Sequence, residues 1–99
     1  MNPLFIPLKT EYYEKFAGGD KPYEIRKHGP RWNARTCKVG RPVVISKGYG
    51  KANRISGVIT DFRVTQAWNL GPADREAVKA CMGSMEIEVA LIFIEVRRA

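Results

Sequence analysis

The chain of 99 residues predicts an α+β domain built on a curved sheet or small barrel. Three observations carry this reading. Short apolar stretches with a period of two recur along the sequence, bounded by Gly and Pro. Only two segments have helical spacing, and both are brief. The resulting order, β-α-β-loop-β-β-α-β, lacks the regular alternation of a doubly wound parallel sheet. Five strands and two short helices suit one hydrophobic core, so residues 1–99 are expected to form a single domain.

Residues 2–8 alternate apolar residues with prolines and read as a first strand, expected at a sheet edge because Pro3 and Pro7 cannot donate to a ladder. Thr10 is the expected N-cap of a two-turn helix, with Glu11 in its first turn, Tyr12, Tyr13 and Phe16 as its apolar face and Gly18-Gly19 as its stop. Residues 23–27 form the next strand, Tyr23 and Ile25 on one side and Glu24 and Arg26 on the other.

Residues 28–40 are polar, contain Gly29-Pro30 and read as a long, mobile loop with room for a helical turn at 31–35. A short strand over 42–46, a turn at Gly48-Tyr49-Gly50 and a long strand over 55–64 follow. Gly57 inside that strand is expected at a bulge or bend. Gly71-Pro72 opens a second helix whose inner stripe is Ala73, Ala77, Val78 and Cys81, and Gly83 ends it. Trp68, just before that helix, reads as core or barrel plug. Residues 85–96 make the last strand, apolar on both faces from Val89 onward and so expected to be covered on both sides.

Charge narrows the function. Residues 20–54 hold ten of the seventeen Lys and Arg and only two carboxylates, +8 of a total of +7, so everything else sums to −1. Gathered on one side, those cations would attract phosphate, which favours nucleic acid as partner and disfavours a membrane, since no basic amphipathic helix is visible. No apolar run approaches the roughly 20 residues of a membrane span. The opening residues lack a basic region followed by a long apolar one, and a cytoplasmic protein is expected. Cys37 and Cys81 with His28 fall short of a tetrahedral ligand set, so neither a metal nor another cofactor is expected. Cys81 should be buried on its helix face and Cys37 should lie in the loop, both reduced.

The two acids inside the basic run, Asp20 and Glu24, stand out. Gly18-Gly19-Asp20-Lys21-Pro22-Tyr23-Glu24-Ile25-Arg26 sets a Lys on a Gly turn, followed by Glu and Arg on one strand face. Lys21 offers a point charge for phosphate or oxyanion, Arg26 a planar fork, and Glu24 an acceptor for a base amino group or a water. A salt bridge tying the turn to the strand fits the spacing equally well. The three groups are expected to converge on one accessible cleft.

The run from Ile6-Pro-Leu-Lys9 through the Tyr-rich helix, into Gly19-x-Lys21-x-x-Glu24-x-Arg26, then Val39-Gly40-Arg41-Pro42-Val43-Val44-Ile45 and the strand 55–62, resembles the ASCH domain (activating signal cointegrator homology) over most of the chain. The resemblance implies a PUA-like five-stranded pseudo-barrel whose cleft, rimmed by the Lys21 turn, the strand of Glu24 and Arg26 and the loop after it, takes RNA, a single strand or a nucleotide, including a modified one, with Lys9 among the expected ligand contacts. Two positions depart from the family pattern: Pro22 stands where a Thr is usual, and Arg41 where an Asp is usual. One branch of the family hydrolyses N4-acetylcytidine with a Lys on this turn and a Thr three residues later. Lys21 matches, but Glu24 occupies the Thr position, so the covalent route of that branch does not transfer.

Further ligand contacts are expected outside the motif. Trp32 lies in the loop between Arg31 and Arg35, suited to stacking a base between phosphate-holding cations or to capping the barrel end. The hairpin carries Lys47, Tyr49 and Lys51, which could follow a nucleic-acid backbone or simply solvate a turn. A binding module is the first reading. An amidohydrolase or ribonuclease is the second, with Lys21 as acid or oxyanion stabiliser and Glu24 as base to a water. A module for an acidic protein partner is the third. The sequence leaves the oligomeric state open.

Overall fold

The computed structural model describes residues 2–19 and 22–97 of the chain. Five strands form one mixed sheet: β1 (Leu4–Leu8), β2 (Tyr23–Lys27), β3 (Pro42–Lys47), β4 (Arg54–Gln66) and β5 (Glu88–Arg97). They run in the order β1-β3-β4-β5-β2 and curl into a half-barrel. Helix α1 (Thr10–Ala17) follows β1, and α2 (Pro72–Met82) follows β4 after a 3-10 turn at Ala67–Asn69. β1 and β3 pair in parallel because a helix, a strand and the long loop separate them; the other pairs are antiparallel. The fold is the PUA-like α+β arrangement expected, with strand and helix order as read from the sequence.

β5 explains why one strand is apolar on both faces. Its Ala90, Ile92 and Ile94 join Ile6, Phe16, Val43, Ile45 and Ile59 inside the barrel. Val89 and Leu91 point the other way, into a smaller core with Ala67 and Val78 beneath α2. Burying a side chain of this size stabilises by about 1.5–3 kcal/mol, and β5 contributes on both sides.

Several local expectations are corrected. Lys9 is the N-cap of α1 and Thr10 is its first helical residue; no side chain caps the helix. The bulge in β4 falls between Ile59 and Asp61, where the pairing with β5 slips, and not at Gly57. Gly57 serves close approach instead: a Cβ there would sit 2.7 Å from the Glu95 carbonyl oxygen across the strand. On α2 only Val78 of the expected stripe is fully buried. Gly83 ends that helix at φ 77°, a left-handed conformation glycine adopts freely.

Cys81, expected to be buried, is exposed, whereas Cys37 lies in the loop as expected and is buried there. The loop turns the Cys37 side chain into the main core, and burial pushes its thiol pKa up. Trp68 is 51% exposed and plugs nothing.

The loop over 28–40 forms turns and no helix. It is knit together rather than loose. Asn33 Nδ2 donates to Gly29 O at 2.9 Å and Asn33 Oδ1 accepts from the Arg35 and Thr36 amides at 2.9 and 3.1 Å. Arg41 ties the loop's end down by donating to the Asn2 and Thr36 carbonyls. Among the described residues no helix is long and apolar enough to cross a membrane.

Candidate functional site

β1 and β2 are the two edges of the sheet, and their meeting creates the site. Arg26 of β2 donates from Nη2 to the Pro7 carbonyl of β1 at 2.7 Å. Pro7 cannot donate to a ladder, yet its carbonyl accepts this closing bond. The same nitrogen lies 3.2 Å from Glu24 Oε2, forming an ion pair. Glu24 Oε1 accepts from the Ile25 amide at 3.0 Å. One guanidinium thus joins both edges of the half-barrel and fixes a carboxylate between them.

Register explains how that carboxylate came inside. Glu24 stands opposite Ile92 and Arg26 opposite Ala90, and both partners belong to the barrel core. The period of two that sends Tyr23 and Ile25 outward sends Glu24 and Arg26 inward. Glu24 is only 5% exposed. A buried carboxylate needs such hydrogen bonds to offset lost hydration.

Above the pair opens a cleft of about 580 Å³. Pro7, Leu8 and Lys9 wall it on one side, Tyr12 and Lys15 of α1 above, residues 22–26 at the base, and Asp74, Ala77, Val78, Cys81 and Met82 of α2 opposite. Lys9 and Lys15 put cations on its rim, and the α2 side is mostly apolar. The Tyr12 hydroxyl lies 3.9 Å from Cys81 Sγ, linking the two helices over the cleft. Burial, then this contact, raises the Tyr12 pKa. Tyr23 donates to Asp74, pinning α2 against β2. That bond, with burial and the Asp74 charge, pushes the Tyr23 pKa up to about 12.

The residues expected to contact ligand divide accordingly. Glu24, Arg26 and Lys9 line the cleft; Lys21 lies outside the described residues. Trp32 is 7% exposed and part of the main core, so it caps the barrel instead of offering a stacking face. Guanidinium carbons of Arg26 and Arg31 lie 4.8 and 5.3 Å from its ring centre, so of the two flanking cations Arg31 is turned onto the ring itself. Arg35 is exposed on the loop. Lys47 pairs with Glu14 at 3.1 Å, while Tyr49 and Lys51 are exposed on the hairpin, away from the cleft.

His28 pairs with Glu88 at 2.7 Å, outside the cleft. The sequence reading missed the α2 wall. Its one signal was Asp74, a carboxylate in the first turn of a helix and four residues before Val78.

No family model and no curated protein matches the chain at the sequence level. Solved structures do. The hypothetical protein PH0355 superposes with a TM-score of 0.71 at 17% identity, covering 97% of this chain and all of that one. A mutant form of ZmASCH from Zymomonas mobilis superposes with a TM-score of 0.63 at 12% identity, covering 92% of this chain and 67% of its own. Together with the half-barrel and its strand order, these likenesses give the chain an ASCH-like fold.

Proposed function

We propose that this chain is an ASCH-type binding module whose cleft holds a nucleobase-bearing ligand: a nucleotide, a modified nucleotide or one nucleotide of an RNA or other single strand. The observation that carries the reading is the fixed Glu24 carboxylate at the base of a cleft with cations on its rim. An immobilised acceptor next to apolar walls suits the N–H edge of a base, and Lys9 and Lys15 suit its phosphate. The volume is that of a small-molecule site. Binding is favoured over turnover because Glu24, held by the Ile25 amide and the Arg26 guanidinium, stands where the hydrolytic branch carries its Thr.

Cys81 supplies the test. Its exposed thiol lines the cleft while Cys37 is buried, so a maleimide should label Cys81 alone in the folded protein. Nucleoside monophosphates, N4-acetylcytidine and short RNAs are added, and both thermal shift and labelling rate are followed. A ligand that stabilises the fold, protects Cys81 and loses both effects in Glu24→Gln supports the reading. Absence of protection by any of them would remove it. Release of acetate from N4-acetylcytidine at an enzymatic rate, lost in Glu24→Gln, would replace binding by hydrolysis.

A further inference from the structure

A second cavity, of about 550 Å³, lies on the other side of α1. Tyr12 and Lys15 face the cleft already described, whereas Tyr13 and Ala17 face this one. Its remaining walls are the start of β4, Arg54, Ile55 and Ser56, and the end of β5, Val96 and Arg97. Neither arginine belongs to the stretches that resemble the ASCH domain.

Register puts the two arginines together. Ser56 stands opposite Arg97, and Arg54 is two residues before Ser56 on the same strand. Arg54 and Arg97 therefore share a face as diagonal neighbours, a spacing long side chains bridge easily. Among the described residues, no carboxylate comes within ion-pair distance of either guanidinium, although Glu95 is next along that face. Lys47 nearby is already paired with Glu14. Two planar forks at one cavity, with no carboxylate partner among the described residues and only a 3.4 Å bond from Arg54 Nε to the Gly50 carbonyl, fit an oxyanion such as phosphate.

The neighbouring aromatic residues identify which phosphate. The Arg54 guanidinium carbon lies 5.3 Å from the Phe5 ring centre, and Phe5 lies 6.4 Å from the Tyr49 ring. Tyr49 is 80% exposed on the hairpin, with Lys51 two residues beyond. An exposed ring backed by a second ring and edged by cations can stack a base while its phosphate is held alongside. An acidic polypeptide would use the cations and leave the ring idle. We propose that the cavity between α1 and the ends of β4 and β5 binds a phosphate of single-stranded nucleic acid, with Arg54 and Arg97 as its ligands and Tyr49 stacking a base.

The test is fluorescence anisotropy with short labelled single strands of RNA and of DNA over a range of salt. The double variant Arg54→Ala, Arg97→Ala should lose roughly tenfold in affinity and flatten the log-log salt slope by about 0.7 for each phosphate contact removed. Tyr49→Ala should lose about tenfold with the slope unchanged, and Tyr49→Phe should keep most of the affinity. These side chains lie at the surface, and circular dichroism verifies that each variant is folded. Protection of Cys81 by a mononucleotide, which reads the first cleft, should be the same in all of them, so failure of one site is distinguishable from failure of the other. Tighter binding of RNA than DNA would assign RNA, and equal binding would assign single strands at large. Unchanged affinity in the double arginine variant would overturn the proposal. Competition by polyglutamate as effective as by nucleic acid, together with indifference to Tyr49→Ala, would also overturn it in favour of an acidic protein partner.

Discussion

The two cavities beside α1 use arginine in opposite ways. In the cleft, Arg26 is committed: it pairs with Glu24, bonds the Pro7 carbonyl and lies over Trp32. In the second cavity, Arg54 lies over Phe5, and it and Arg97 have no carboxylate partner among the described residues. A cation bonded on three sides holds the barrel together and shapes a carboxylate for ligand. One without a counter-charge contributes little to the fold and is available to an anion. Counting basic residues in sequence cannot separate these roles.

The contrast breaks most visibly under substitution. Arg26→Ala removes the 3.2 Å ion pair from buried Glu24 and opens the seam between β1 and β2. A loss of about 3 kcal/mol in urea unfolding is expected, because a buried ion pair and the bond that closes the barrel are removed together. Arg26→Met combined with Glu24→Leu should recover most of that stability while abolishing Cys81 protection by ligand. If Arg26→Ala costs no more than a surface change, the seam is held by something else.

Tyr23→Phe comes next, with a cost of about 1 kcal/mol from the lost bond to Asp74. The sign with pH follows from a folded pKa of about 12 against about 10 in an unfolded chain. The contribution is complete below pH 10 and disappears as pH rises through 12. A plot of stability against pH should therefore fall between about pH 10 and 12 in the wild type and fall less in Tyr23→Phe. Equal slopes would mean that α2 is not held by this bond.

Arg54→Ala should shift stability by less than about 0.5 kcal/mol, as expected of a surface residue with no charged partner. A larger loss would show that its position over Phe5 is structural and would erase the difference between the two cavities. Smallest in energy but direct in readout, maleimide should modify Cys81 at once and Cys37 only as the protein unfolds. Comparable rates for the two thiols would contradict their burial.

Much of the fold was legible because it rests on local signals. Period two in residues 23–27, the apolar run from Val89 and the Gly and Pro punctuation at Gly71-Pro72 and Gly83 each act within one element. The misread positions depend on what lies opposite. Trp32 between two arginines reads as a stacking site until the loop folds it into the core. Trp68 reads as a plug until the 3-10 turn at Ala67–Asn69 carries it to the surface. For Cys81, the helical stripe gave the face but not the depth to which α2 sinks.

For the candidate site, the sequence by itself determined that Glu24 and Arg26 share a strand face, since pleat geometry allows nothing else. Register on β5 then made that face the inner one, by pairing them with Ile92 and Ala90. Curling of the sheet brought Pro7 within reach of Arg26, and α2 supplied the facing wall of the cleft. These are contacts between residues far apart in the chain, fixed by which apolar surfaces bury together. A linear pattern specifies which residues are apolar, and only packing decides which of them meet.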